Sequence, residues 1–314
     1  MEVISLAIIK LFLITFLGFY LYKRTILTNH ALNFLSTFVI NFSLPLLIFS
    51  NIVENFSLKD IPSPWVFIFL SIIIFISGLI LSLLFIHSIP KDLRREFISM
   101  VSFQNCGYLP MNIAFFLFSP HLKKIFLVYT FLYILGFDIL MWSIGSFLIF
   151  KRGEEKFKVS SLFTPPILGI ISAILIILLK VQKFVPQFIL DTARMIGETS
   201  FVLSMIILGG WLAKNKSINK VDIPILAKVS LLKLIVIPLL FFLLITIYKP
   251  NLLLGLFILL QASMPSAASL PIVVNLRKAN SEFTSQGVFL THLISIVSVP
   301  FWLNLYIMIF PLEL

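Results

Sequence analysis

The sequence has few charged residues and almost no cysteine. Aspartate, glutamate, lysine and arginine together make up 12% of its 314 residues, whereas hydrophobic residues make up 60%. A soluble domain does not need so large an apolar fraction, because charged residues normally cover its exterior. The single cysteine, Cys106, excludes an intrachain disulfide and a cysteine-rich metal site. The composition therefore favours a protein that lies within a lipid bilayer.

Motifs for covalent or nucleotide chemistry are also absent from the sequence. It contains no phosphate-binding loop and no nucleophile motif, and its four histidines lack metal-ligand spacing. An intramembrane sensor or enzyme is a further class, but an enzyme of this kind normally needs an acidic pair or a metal cluster and neither is visible in the sequence, so we expect no enzyme activity and no cofactor. The net charge of +11 does not indicate nucleic acid binding, because most basic residues lie in short loops between apolar segments.

Long apolar runs occur along the entire chain. A helix of about 20 apolar residues crosses the hydrocarbon core of a bilayer, and ten such segments are predicted. The first lacks a small-residue cleavage site and is interpreted as a retained helix rather than a signal peptide. The sequence thus predicts an all-α integral membrane protein. The predicted spans are approximately 3–22, 31–52, 65–87, 97–118, 124–150, 164–180, 188–213, 223–248, 251–274 and 284–311.

The distribution of basic residues favours one orientation. With the N-terminus outside, the cytoplasmic loops carry 14 lysines and arginines, and the outer loops carry 6. Cytoplasmic loops of membrane proteins carry the excess of these residues, so both termini are predicted outside the cell membrane. A polar loop divides the spans five and five, which predicts repeats 1–150 and 164–314 joined by a cytoplasmic loop 151–163. Because five is odd, the two repeats would be inverted.

Two predicted spans contain a polar interruption with a proline. The first occupies 103–112 (FQNCGYLPMN) and the second occupies 261–271 (QASMPSAASLP). Proline lacks an N–H and clashes with the preceding turn, so each helix should bend or stop there. Freed backbone groups are tolerated in a bilayer only where they are buried in protein or line a cavity. Paired interruptions are typical of a transporter's binding site, although simple proline kinks remain the alternative.

Residues around the two interruptions form the predicted substrate site. Pro110 suits the first turn of a returning half-helix, and the N-terminus of that half-helix attracts a carboxylate. Asn105 adds an amide donor, and Gly107 allows the backbone to approach closely. The predicted substrate-binding residues are Asn105, Gly107, Pro110, Asn112, Gln261, Ser263, Pro265 and Ser266.

Four charged residues within the predicted spans are candidates for coupling or gating. Asp138 is the deepest acid, and it is interpreted either as a proton carrier or as a structural hydrogen-bonding group. Arg194 and Glu198 share a helix face with Asp191, where mutual neutralisation is favoured over an ion pathway. Lys233 could attract anions, but snorkelling towards the cytoplasm is slightly favoured. Proton coupling is preferred to sodium coupling, because neither interrupted span contains a carboxylate.

Several short motifs occur in a characteristic order, and together they resemble the auxin efflux carrier family, which includes bacterial relatives of the plant PIN-formed carriers. The most specific match is QNCGYLP at 104–110. The others are LGFYL at 17–21, FSLPLLIF at 42–49, TPP at 164–166, LGGWLA at 208–213, KLIVIPL at 233–239, MPSA at 264–267 and SIVSVP at 295–300.

The resemblance implies a fold like that of the bile-acid/sodium symporters, with two inverted five-helix repeats and crossing broken helices four and nine. It also implies a secondary carrier for small organic anions, such as auxin-like acids or mono- and dicarboxylates, that works by a rocking or elevator type of alternating access. The bilayer and the anion are the expected partners, and a homodimer is left open. The alternative function is an anion channel or a passive pore.

Overall fold

Apolar helices make up the structure, a computed structural model that describes residues 2–55, 65–143, 149, 163–214 and 223–311. The predicted connecting loop at 151–163 lies outside the described residues except for its last position. Three shorter apolar helices are Tyr108–Leu117, Pro165–Leu178 and Leu252–Ala262. The segments long and apolar enough to cross a bilayer are Asn29–Asn55, Trp65–Leu84, Pro120–Met141, Gln187–Lys214, Ile223–Tyr248 and Ser281–Ile309. The predicted multi-pass, all-helical class is therefore confirmed.

The α-helices are numbered here in chain order. Those of the first half are α1 (Glu2–Lys23), α2 (Asn29–Phe38), α3 (Leu44–Asn55), α4 (Trp65–Leu84), α5 (Arg94–Ser102), α6 (Tyr108–Leu117) and α7 (Pro120–Asp138). Those of the second half are α8 (Pro165–Leu178), α9 (Gln187–Lys214), α10 (Ile223–Leu231), α11 (Ile237–Tyr248), α12 (Leu252–Ala262), α13 (Leu270–Leu276) and α14 (Ser281–Ile309).

Wider π-helical turns interrupt three of the long helices. They lie between α2 and α3 (Val39–Ser43), after α7 (Ile139–Ser143) and between α10 and α11 (Leu232–Val236). Pro45 and Pro238 are each the second residue after one of these turns. Because proline lacks an N–H, it removes one α-helical hydrogen bond, and a locally wider turn accommodates the change.

Helices α1, α2, α3, α8 and α9 pack together as a smaller bundle. Helix α1 crosses α9 closely, because Gly18 faces the backbone of Ile206 and Gly209 faces the backbone of Thr15. A Cβ atom at either glycine would overlap that backbone, so small residues permit this crossing. Helix α3 packs against both α8 and α9, which completes the smaller bundle.

Helices α4–α7 and α10–α14 form a larger bundle around an aromatic core. Phe257 of α12 lies at the centre of this core and contacts Phe67 of α4 and Phe126 of α7, with ring centroids 5.5 Å and 5.1 Å apart. Edge-to-face geometry of this kind stabilises aromatic pairs beyond their burial. Helix α6 of the larger bundle also packs against α1 and α9, so it lies at the boundary between the two bundles.

Candidate functional site

The first predicted interruption is present and separates α5 from α6. Helix α5 ends at Ser102, Phe103 is extended, and α6 begins at Tyr108. Pro110 therefore lies in the first turn of α6, as predicted. In a continuous helix its ring would clash with the carbonyl of Cys106, four residues earlier. The chain thus leaves the helix before that point and starts a new one after it.

The second predicted interruption separates α12 from α13. Helix α12 ends at Ala262, and α13 begins at Leu270. Met264 precedes Pro265, and a residue before proline is disfavoured in the α-helical conformation. Pro271, the second residue of α13, again suits a helix start, where its missing N–H has no acceptor to lose.

The two interruptions, called here the first break (103–107) and the second break (263–269), are hydrogen-bonded to each other. Gln104 and Ser266 form an antiparallel bridge. The N–H of Asn105 donates to Pro265 O at 2.8 Å, and the N–H of Ala267 donates to Phe103 O at 3.0 Å. Backbone groups that the missing helical turns would leave unpaired thus satisfy each other across the two halves of the chain.

Three side chains satisfy carbonyl groups at and just after the end of α5. Ser266 Oγ donates to Met100 O at 2.7 Å, and Gln261 Nε2 donates to Cys106 O at 3.2 Å. Lys233 Nζ donates to Val101 O at 3.0 Å, and this side chain is 0% exposed. The prediction that Lys233 snorkels is therefore wrong. The ammonium instead binds at the negative end of a half-helix dipole, where a cation is stabilised.

Asn105 is 4% exposed, and both the oxygen and the nitrogen of its side-chain amide have hydrogen-bond partners. Its Oδ1 accepts from the N–H of Leu109 at 3.4 Å, which caps the start of α6. Its Nδ2 lies 3.1 Å from Nε2 of His292, whose Nδ1 lies 2.8 Å from Val288 O. One protonation pattern satisfies all of these hydrogen bonds: Nδ1–H of a neutral His292 donates to Val288 O, and Nε2 accepts from Asn105.

Two further N–H groups remain at the N-terminus of α6. Pro110 has none, and the N–H of Met111 donates to Gly107 O at 3.0 Å. Within the described part of the chain, the N–H groups of Gly107 and Tyr108 donate to no acceptor. The first turn of α6 therefore offers unused donors together with the positive end of its dipole.

The two residues that carry these donors line a small cavity of about 80 Å³, called here the inner cavity. The first break contributes residues 104–107 to its wall, α6 contributes Tyr108, and the second break contributes 267–269. Asp138 also lines it and accepts from Thr164 Oγ1 at 3.2 Å. The inner cavity thus combines a helix N-terminus and a carboxylate within a mostly apolar wall.

A larger cavity of about 660 Å³, called here the wide cavity, adjoins the inner one. Ile40 and Ala268 belong to both walls. The wide cavity also contacts Lys214 at the end of α9 and Ser281 at the start of α14. It therefore leads from the breaks to one end of the helices, along the boundary between the bundles. Its size lies in the range of small-molecule pockets.

Six of the predicted substrate-binding residues do not line the inner cavity: Pro110, Asn112, Gln261, Ser263, Pro265 and Ser266. Asn112 is buried on α6 and donates to Ser204 Oγ of α9 at 3.1 Å. Ser263 donates to Leu260 O within its own helix. Gln261 donates to Cys106 O of the first break, and Ser266 donates to Met100 O of α5. Their polar groups therefore contact protein, and from the second break it is the small residues 267–269 that reach the inner cavity.

Arg194 and Glu198 lie far along α9 from Lys214, at the other end of the smaller bundle. Arg194 pairs with Asp191, as the helix spacing allows, and its NH1 lies 3.0 Å from Glu54 Oε2 of α3. Glu198 is exposed, and the second ion-pair partner of Arg194 is Glu54. Helix periodicity identifies neighbours only on the same helix, which is why the sequence does not predict Glu54.

Sequence reasoning also does not single out His292, whose partner Asn105 is 187 residues away along the chain. One signal was available, since a histidine inside an apolar helix is expensive unless it has a partner. His292 is the twelfth residue of the 29-residue α14 and is 1% exposed.

The family is shown by a match that covers nearly all of this structure. Residues 3–303 match a family model described as membrane transport protein, and this range includes both breaks and the inner cavity. The chain belongs to the auxin efflux carrier family of membrane transport proteins. The resemblance inferred from the short motifs is thereby confirmed. A comparison with curated protein sequences finds no match. This auxin efflux carrier family protein is accordingly a multi-pass membrane protein of a transport family.

Proposed function

We propose that this chain is a secondary carrier of small organic anions and binds them in the inner cavity. The observation that carries the proposal is the N-terminus of α6, where Gly107 and Tyr108 have unused N–H groups and line a cavity. Helix N-termini bind carboxylates through such donors and through the helix dipole. In this proposal Asn105 orients the half-helix, and Gly107 and Pro110 give its first turn the required shape.

In this proposal a positive charge accompanies the anion into the cavity. Asp138 lines the same wall, and two like charges at close range in an apolar site repel strongly. A proton bound to Asp138 is one source of compensation, and it would couple transport of the anion to movement of a proton. A positively charged group on the cargo itself is the other source.

Alternating access is proposed to occur between the two bundles. Because the wide cavity reaches Lys214 and Ser281, it supports a state that is open at one end of the helices. In the proposed topology, ten spans form two inverted five-helix repeats, both termini lie outside, and this end faces the cytoplasm. Movement of the larger bundle against the smaller one, by rocking or by an elevator motion, would then open the opposite end.

Proteoliposome transport with radiolabelled succinate and propionate tests this function. We expect saturable uptake that is accelerated by the same unlabelled acid preloaded inside the liposomes, and none in protein-free liposomes. Binding should raise the melting temperature of the purified protein, because a ligand at about 100 times its Kd adds about 2.7 kcal/mol of stability. Non-saturating flux without counterflow, or single-channel currents in a planar bilayer, would favour the channel instead.

A further inference from the structure

The inner cavity carries hydrogen-bond acceptors as well as donors. Gln104 lines it, and its side chain is 0% exposed. Its Nε2 donates to the hydroxyl of Tyr133, whereas its Oε1 has no donor among the described residues. Asp138 adds a carboxylate to the same wall. A buried acceptor without a donor is unfavourable, and it favours a ligand that supplies an N–H.

A simple carboxylate matches only half of this arrangement. Its oxygen atoms accept from the first turn of α6, but they cannot donate to Gln104 Oε1, and they bring a second negative charge to Asp138. An ammonium group has three N–H donors and a positive charge. It would satisfy Gln104 Oε1 and attract Asp138, and the apolar wall would strengthen that attraction.

The two cavities also differ in size, and this difference suits a molecule with a small head group and a variable side chain. The inner cavity of about 80 Å³ has room for a head group of a few non-hydrogen atoms. The wide cavity of about 660 Å³ can take substituents of different sizes. Because Ile40 and Ala268 line both, a head group in the first is continuous with a side chain in the second.

We infer that the cargo is an α-amino acid in its zwitterionic form, bound with its carboxylate at the N-terminus of α6 and its ammonium between Asp138 and Gln104. This inference rests on the carboxylate seat proposed above and adds the seat for the amine. Asp138 is the charged member of the described inner-cavity wall, and it selects the ammonium. The side chain of the amino acid lies in the wide cavity.

Three pairs of ligands that differ only by the amine test the inference: L-alanine and propionate, L-leucine and 4-methylpentanoate, and L-aspartate and succinate. Binding to the purified protein is measured by calorimetry, with 3-methylbutylamine as the analogue of leucine that lacks the carboxylate. We expect at least one amino acid to bind about ten- to a hundredfold tighter than its partner, as is typical of charge-assisted hydrogen bonds.

The Asp138→Asn variant keeps the shape of the side chain and removes its charge. It should lose most of that preference, while the deaminated acid binds as tightly as before or tighter. Asp92→Asn removes an exposed acid that lies outside both cavities and should leave the preference unchanged. If Asp138→Asn does not fold, as judged by its melting curve, the comparison within each pair on the unaltered protein still decides.

Each failure has a different meaning. If the deaminated acids bind as well as the amino acids, or if Asp138→Asn retains the preference, the amine seat is overturned and the anion carrier stands. If 3-methylbutylamine binds as tightly as leucine, the carboxylate seat is wrong, and both proposals fall. If no member of the three pairs binds or is transported, both proposals fall as well.

Discussion

The two breaks look alike in sequence and differ in what they present to the inner cavity. The first break and the start of α6 line it with the consecutive residues 104–108, of which Gly107 and Tyr108 have unused N–H groups. The second break lines it with the small residues 267–269. The hydroxyl of Ser266 and the amide of Gln261 point back to carbonyl groups of the other half.

This difference indicates that the two halves of the chain contribute different things to the site. The second break supplies the hydrogen bonds that replace the helical bonds lost around the first, and it leaves space beside it. Because those carbonyl groups are already satisfied, the first break keeps its unused N–H donors for a ligand. Two breaks with similar sequences therefore need not have the same chemistry, and substitutions in the two breaks should have separable effects.

The largest expected effect is that of Asn105→Ala on affinity. The substitution removes the cap of α6 and the partner of His292, so the first turn loses its orientation. Loss of a hydrogen bond that supports a charged ligand costs about 1.5–3 kcal/mol, or roughly a ten- to hundredfold loss of affinity. The melting temperature should also fall, because Nε2 of His292 is left buried without a donor. Calorimetric titration and a thermal melt measure the two effects.

Asn112→Ala is the matched control on the same half-helix. Its amide bonds to Ser204 of α9 rather than to the inner cavity. We expect lower stability with unchanged affinity. Unchanged affinity in Asn105→Ala, or a large loss in Asn112→Ala, would contradict the assignment of binding to the first break.

An intermediate effect, on stability rather than on affinity, is expected for Ser266→Ala. The variant leaves Met100 O of α5 without its buried donor, which costs about 1–3 kcal/mol. Chemical denaturation in detergent would report the difference. Ser263→Ala is the comparison, because that hydroxyl bonds only within its own helix and should matter less. A loss of affinity without a loss of stability in Ser266→Ala would instead indicate direct contact with the cargo.

The smallest effect is expected for Pro110→Ala. Proline in the first turn of a helix loses no hydrogen bond, and its contribution comes mainly from restricting the unfolded chain, at about 0.4–1 kcal/mol. We therefore expect a slightly lower melting temperature and nearly normal affinity. A large loss of affinity would show that the ring itself contacts the cargo, which would change the description of the first break.

The positions of both breaks were predictable from sequence, because their cause is local. Pro110 and Pro265 disfavour a continuous helix and lie among polar residues, whereas Pro300 lies inside the unbroken α14. The observed breaks at 103–107 and 263–269 therefore both fall within the predicted interruptions. The multi-pass helical class follows equally from composition. The antiparallel bridge between Gln104 and Ser266 was not predictable, since it depends on how distant segments meet.

Side-chain partners were the least predictable part of the site. Lys233 was expected to snorkel, because a lysine in an isolated apolar helix gains most by reaching water. In the folded chain the carbonyl of Val101 accepts a hydrogen bond from the ammonium instead. Asn105 likewise finds His292 on another helix. Periodicity describes one helix at a time, whereas these contacts arise where several helices converge.

The hydrogen bonds between the breaks also constrain when the site can form during synthesis. Gln261 and Cys106 are 155 residues apart in the chain, so α5 and α6 must enter the membrane long before their partners exist. Until residues 261–266 are made, Met100 O and Cys106 O lack the donors that later satisfy them, and contacts of such long sequence separation form slowly. A nascent first half should therefore expose polar backbone to the lipid or to the insertion machinery, and truncation before residue 261 should leave it a target for membrane proteases.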